Sequence, residues 1–132
     1  MILKMKLEDM CLTLEQAREL KELGVDFSNS MLCFYEIEGV MHIGYNGIID
    51  YDETLGHIKQ STLTITEMLE MLPKVLDYGG ICNEQPLWLI SGKQWSLLFH
   101  DPVIELDHES VSESLRDSLF DMIRWLKTNK II

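Results

Sequence analysis

The sequence predicts an α+β fold: a mainly antiparallel sheet of hairpins with about three helices packed on one face. Three observations lead there. Helix-capping residues stand ahead of amphipathic stretches at three places, near residues 13, 64 and 110. Between them lie short apolar runs separated by turn residues. The order is helix, strands, helix, strands, helix, without the single-strand, single-helix alternation that builds parallel sheets.

The first helix is expected over about residues 14 to 23. Thr13 and Gln16 form a capping box, in which each side chain satisfies a backbone N–H left open by the first turn. Leu12 and Ala17 occupy the positions of a hydrophobic staple. Gly24 followed by Val25 supplies a left-handed stop with an apolar contact.

From Met31 to Tyr51 the chain reads as β structure. The run Met31 to Ile37 meets the turn signal Glu38-Gly39, and Val40 to Tyr45 leads into Asn46-Gly47. Both residues of an Asn-Gly pair tolerate positive φ, which suits a tight hairpin, so Ile48 to Tyr51 is expected to run back as a third strand of a meander. Thr64 and Glu67 make a second capping box, with Leu63 and Met68 as its staple. That helix ends at Pro73, which lacks an N–H and clashes with the preceding turn.

Leu87 to Ile90 and Trp95 to Phe99 flank Ser91-Gly92-Lys93-Gln94 and predict another hairpin. Val103 to Leu106, after Pro102, predicts a short edge strand. The last helix is expected over about residues 111 to 127, opened by a Ser110–Glu113 capping box. Its apolar residues Val111, Leu115, Leu119, Met122, Ile123 and Leu126 recur at about 100° per residue and share one face. No repeat, low-complexity tract or Pro/Gly/Ser linker interrupts the chain, so residues 1–132 are read as a single domain.

Composition narrows the class of function. With 46% hydrophobic and 25% charged residues, the 132-residue chain has enough apolar content to fold. No apolar run reaches the roughly 20 residues that span a bilayer. The opening Met1 to Leu7 is short and interrupted by lysines, unlike a secretory signal. Cys11, Cys33 and Cys82 are odd in number and far apart, which predicts reduced, buried thiols and a cytoplasmic setting. A formal charge of −11 disfavours phosphate backbones and anionic membranes. A basic protein is the partner that suits it; neither direct nucleic-acid binding nor membrane binding is expected.

Two side-chain groups could carry chemistry. Glu109, Glu113, Asp117 and Asp121 recur every fourth residue, which on a helix stacks them into an acidic stripe. Like charges so placed cost about 0.2–0.5 kcal/mol per pair, offset in part by Arg116 and Arg124. Phe120 is expected to project among these acids, so that Phe120, Glu113, Asp117 and Asp121 would form a surface for a basic partner. The second group is Asp50, Asp52, Glu53 and His57. Alternation along a strand puts Asp50 and Asp52 on one side, where with Glu53 and His57 they could hold Mg²⁺ or Mn²⁺. His42, His57, His100 and His108 have no zinc spacing relative to one another or to the cysteines. His100-Asp101 marks no nucleophile, and Gly39, Gly44 and Gly47 are spaced as turn glycines, not as a phosphate loop. Tyr35, Trp88, Trp95 and Phe99 lie on expected strands and suit cross-strand packing. No cofactor is expected.

Three segments, Leu12 to Asp26, Thr62 to Lys74 and Asp121 to Lys127, resemble small uncharacterised proteins of bacterial prophages and mobile elements. The resemblance implies a bacterial or phage cytoplasm. It transfers no catalytic residue. The functional expectation is therefore a non-catalytic, acidic protein-interaction module. The alternatives are a small metal-dependent hydrolase built on Asp50, Asp52, Glu53 and His57, and an acidic mimic of nucleic acid that inhibits a DNA-binding protein. Arg116, Arg124, Lys127 and Lys130 dilute the acid that such a mimic needs.

Overall fold

The computed structural model describes residues 6–47, 57–73, 75–77, 84–91, 95–99 and 109–132. The fold is α+β, with three α-helices and antiparallel sheets among the described residues. By contacts the chain divides into two compact units, Met1–Glu67 and Met68–Ile132, with a sheet in each. The hairpins are thus shared between two sheets, not gathered into one.

In the first unit a 3-10 turn, Leu7–Asp9, precedes helix α1, Leu14–Glu22. The capping box forms in both directions: Gln16 N–H donates to Thr13 Oγ1 at 3.2 Å, and Thr13 N–H donates to Gln16 Oε1 at 3.0 Å. At the other end Gly24 adopts φ 93°. Its N–H donates to Lys21 O and that of Val25 to Leu20 O, which closes the helix with the paired bonds of a Schellman motif. Leu12, Ala17 and Leu20 are fully buried. Both ends of this helix follow from local chemistry alone.

Strands β1 (Leu32–Ile37) and β2 (Val40–Tyr45) form the expected hairpin, with Ile37 opposite Val40. Glu38 and Gly39 hold φ 50° and 80°, the double left-handed geometry of a type I′ turn, whose twist matches that of the strands. The next described strand is β3, His57–Thr62, which pairs on the far side of β1, giving the order β2-β1-β3.

Asn46-Gly47 enters a helical turn and not a two-residue hairpin turn. The cause is tertiary. Asn46 N–H extends the ladder to Met31 O at 2.9 Å. Its side-chain amide lies 2.9 Å from both Ser30 O and Ser30 Oγ, and 3.2 Å from Leu32 O. Asn46 ties the end of β2 to the start of β1. Ile48 to Tyr51 lies outside the described residues.

On β3 the register shifts: Phe34 faces Gln60 but Tyr35 faces Ile58, leaving Lys59 as the extra residue of a bulge. The end of this strand is covered. Leu12 N–H donates to Leu63 O, Ile65 N–H to Met10 O, and the buried Thr62 hydroxyl to Leu12 O at 3.1 Å. Helix α1 packs against β3.

Helix α2, Ile65–Met71, opens with the second capping box. Glu67 N–H donates to Thr64 Oγ1 at 3.1 Å and Thr64 N–H to Glu67 Oε1 at 3.0 Å. It stops two residues short of Pro73, as the missing N–H requires.

The second unit carries an antiparallel sheet in sequence order, β4 (Val75–Asp77), β5 (Glu84–Ser91), β6 (Trp95–Phe99) and β7 (Glu109–Ser112), with helix α3, Leu115–Thr128. The β5–β6 hairpin forms as expected, with Ser91 opposite Trp95 and Leu87 opposite Phe99. Val103 to Leu106 lies outside the described residues.

The last helix starts later than its periodicity suggests. Residues Glu109 to Ser112 are a strand paired with β6, not the first helical turn. The N-cap is Ser114, whose Oγ accepts from Asp117 N–H at 3.4 Å. Ser110 is no cap: it is buried in β7, and its hydroxyl donates to Ser118 O at 2.7 Å. Val111, expected on the apolar face, points outward and is 46% exposed. Helix α3 packs against β6 and β7, and Leu97, Leu119, Met122, Ile123 and Leu126 are fully buried.

Candidate functional site

Helix α3 gathers the only part of the expected acidic surface that the fold keeps aligned. Because residues 109–112 are strand, Glu109 and Glu113 leave the helical stripe; Glu113 is exposed just ahead of the N-cap. Asp117 and Asp121 remain one above the other at four-residue spacing. Asp117 lies in the first turn, where the helix dipole favours a negative charge.

Both carboxylates face arginines of the same helix. Arg116 Nε stands 3.1 Å from Asp117 Oδ1, and Arg124 Nη2 stands 2.8 Å from Asp121 Oδ1. The stripe is thus a row of matched charges.

Phe120 does not project among the acids. It is 8% exposed, and the Arg124 guanidinium lies 5.0 Å from its ring centroid. At about 100° per residue, Phe120 sits about 60° from Ile123, at the border of the apolar arc. Burying an aromatic side chain is favourable by about 1.5–3 kcal/mol, enough to draw a border residue inward. Arg124 then covers its ring, held by the carboxylate on one side and the quadrupole on the other.

Beyond Phe120 the helix carries a shallow depression of about 260 Å³, lined by Asp121, Arg124, Trp125, Thr128 and Asn129. The spacings of three, four, seven and eight from Asp121 put these residues on one flank of a helix. In the sequence that flank has no capping or charge pattern of its own to mark it. Asn129 caps the end, its Nδ2 donating to Trp125 O at 2.8 Å. Lys130 takes φ 58°, and its N–H and that of Ile131 donate to Lys127 O and Leu126 O. This is the same closing motif as in α1, with a lysine where glycine is usual.

Of the proposed metal ligands, Asp50, Asp52 and Glu53 lie outside the described residues, and His57 opens β3. Among the described residues no three of His, Cys, Asp and Glu are grouped as a metal site. Cys11 and Cys33 carry buried thiols. His42 is exposed and stacks on Tyr35, with ring centroids 5.4 Å apart and planes at 26°. Asp26 has its carboxyl pKa held below the usual 3.8, first by the Ser28 backbone N–H at 2.9 Å and then by the Ser28 side chain. Among the described residues no helix is long and apolar enough to cross a membrane. In comparisons with known proteins, no family model, curated protein or solved structure matches the chain.

Proposed function

We propose that this chain is a non-catalytic, acidic protein-interaction module that binds a basic protein through the exposed flank of α3. The observation that carries the reading is the depression in which Trp125 and Arg124 stand beside Asp121. Tryptophan and arginine are the residue types most enriched at binding hot spots. Asp117 and Asp121 bring negative charge to this side of the helix, which attracts a partner's lysine or arginine. The indole face of Trp125 offers the same cation a second attraction. The charge of −11 steers a basic partner toward the molecule. Phe120 serves this surface from beneath, by holding Arg124 in place. The setting of a phage or mobile element rests on the resemblance of residues 12–26, 62–74 and 121–127.

The test places a photo-crosslinking benzoylphenylalanine at Thr128, an exposed position on the rim, in the full chain expressed in a bacterial host. A basic protein should be captured in the parent and lost when Asp117→Lys and Asp121→Lys are combined, with the circular dichroism spectrum unchanged. Capture that is indifferent to this charge reversal would sink the reading, as would the absence of any crosslinked protein.

A further inference from the structure

The two edges of the β2-β1-β3 sheet are built differently. Edge strands expose unpaired backbone groups, and proteins blunt them with lysine, proline, bulges or covering chain. The β3 edge has such protection: the bulge places an extra, exposed Lys59 there, and residues 10–12 bond across its end. Among the described residues the β2 edge has none. Val40-Met41-His42-Ile43-Gly44-Tyr45 contains no Asp, Glu, Lys, Arg or Pro and runs opposite β1 without a register shift. Asn46-Gly47 then enters a helical turn, and the next described strand is laid on the far side of β1.

Which groups face outward follows from alternation in an antiparallel ladder. Asn46 N–H points inward to Met31 O, so Gly44, His42 and Val40 point inward too. The N–H and C=O of Met41, Ile43 and Tyr45 therefore face away from β1. Their side chains share one face of the sheet, the face of Leu32, Phe34 and Glu36 across the hairpin. Met41 is 37% exposed and Tyr45 51%.

We propose that β2 pairs antiparallel with β2 of a second copy of this chain, about a two-fold axis at Ile43. In this register Ile43 exchanges both backbone hydrogen bonds with its own copy. Met41 meets Tyr45 of the other copy, at both ends of the pairing. Every outward backbone group of the three residues is satisfied, and each same-face pair is apolar on apolar. His42 falls opposite Gly44, the smallest residue in the strand. Such self-complementarity is what an isologous interface demands. Charge limits where a second copy can approach. Two chains of −11 repel one another over most of their surfaces, and an uncharged strand is where they can approach. The result is one continuous six-stranded sheet. The inference is independent of the α3 surface.

Sedimentation equilibrium of the full chain over a concentration series tests it. The parent is expected at twice its monomer mass. Met41→Lys combined with Tyr45→Lys brings lysine against lysine at both ends and should halve the mass. Met41→Lys combined with Tyr45→Glu brings lysine against glutamate in the same register and should restore the dimer. Both positions are solvent-exposed, and circular dichroism verifies the fold of each variant. A parent that is monomeric into the millimolar range overturns the proposal. A dimer that survives the double lysine overturns it too, and a lysine–glutamate variant that stays monomeric overturns the two-fold register.

Discussion

The ring of Tyr35 lies so close to Gly44 that a β-carbon at residue 44 would stand 2.7 Å from Tyr35 Cε1. Gly44 faces Cys33 in the ladder, and Tyr35 faces His42, so the ring leans diagonally over the glycine while stacking on the histidine. Gly44→Ala should destabilise the fold by about 1–3 kcal/mol, the usual cost of overpacking. In a Tyr35→Ala background the same substitution should cost much less, because the contact is gone. Urea melts of the four proteins in this cycle give the coupling directly.

The closing motifs of α1 and α3 put different residue types in the left-handed position. Gly24 at φ 93° suffers no Cβ penalty, whereas Lys130 at φ 58° does. Gly24→Ala is expected to lower stability by about 1–2 kcal/mol, and Lys130→Gly to raise it by about 0.5–1 kcal/mol. Thermal unfolding of the two variants should move in opposite directions.

Ser110 is a buried strand residue whose hydroxyl satisfies a helical carbonyl. Ser110→Ala should cost about 0.5–1.5 kcal/mol, the net value of the hydrogen bond it removes. Ser114→Ala should cost about 1 kcal/mol, the value of an N-cap. Hydrogen exchange at the Asp117 N–H should speed up in Ser114→Ala and not in Ser110→Ala; the reverse would contradict the boundary between β7 and α3.

Asp26 predicts a pH effect with a defined sign. Its carboxyl pKa is lowered in the folded protein by the Ser28 N–H and side chain. The unfolded chain therefore takes up this proton first as pH falls. The stabilisation is present above the ordinary value of 3.8 and is lost as pH drops through the folded value. A carboxyl-carbon NMR titration should place the Asp26 midpoint below 3.8. In Ser28→Pro, which removes the N–H, the midpoint should rise toward that value.

What the sequence disclosed depended on how local the signal was. Thr13, Gln16 and Gly24 act within one turn of helix, so α1 was legible at both ends, as was the Glu38-Gly39 hairpin. Asn46-Gly47 carried an equally strong local signal, yet its amide is claimed by Ser30 and Leu32, residues distant in sequence. Glu109 to Ser112 fits two periods at once: the acids continue a four-residue ladder, while Ser110 and Val111 alternate as a strand. Pairing with β6 decides between them, and no residue in the segment announces that pairing. The three-residue β4 is too short to show any period. At the candidate site, Asp117 and Asp121 were legible as a helical pair. The inward turn of Phe120 was not, because a residue at the border of an apolar arc is placed by what lies against it.

Glu67 uses its two carboxylate oxygens for different segments: Oε1 accepts from Thr64 N–H, and Oε2 from Met31 N–H at 3.1 Å. Capping boxes ordinarily accept glutamate or glutamine alike. Here an amide would turn a donor toward one of two donors, so the interchange permitted at Gln16 is forbidden at Glu67. The start of one helix and the start of the central strand consequently share a single anchor, and neither can fray without releasing the other.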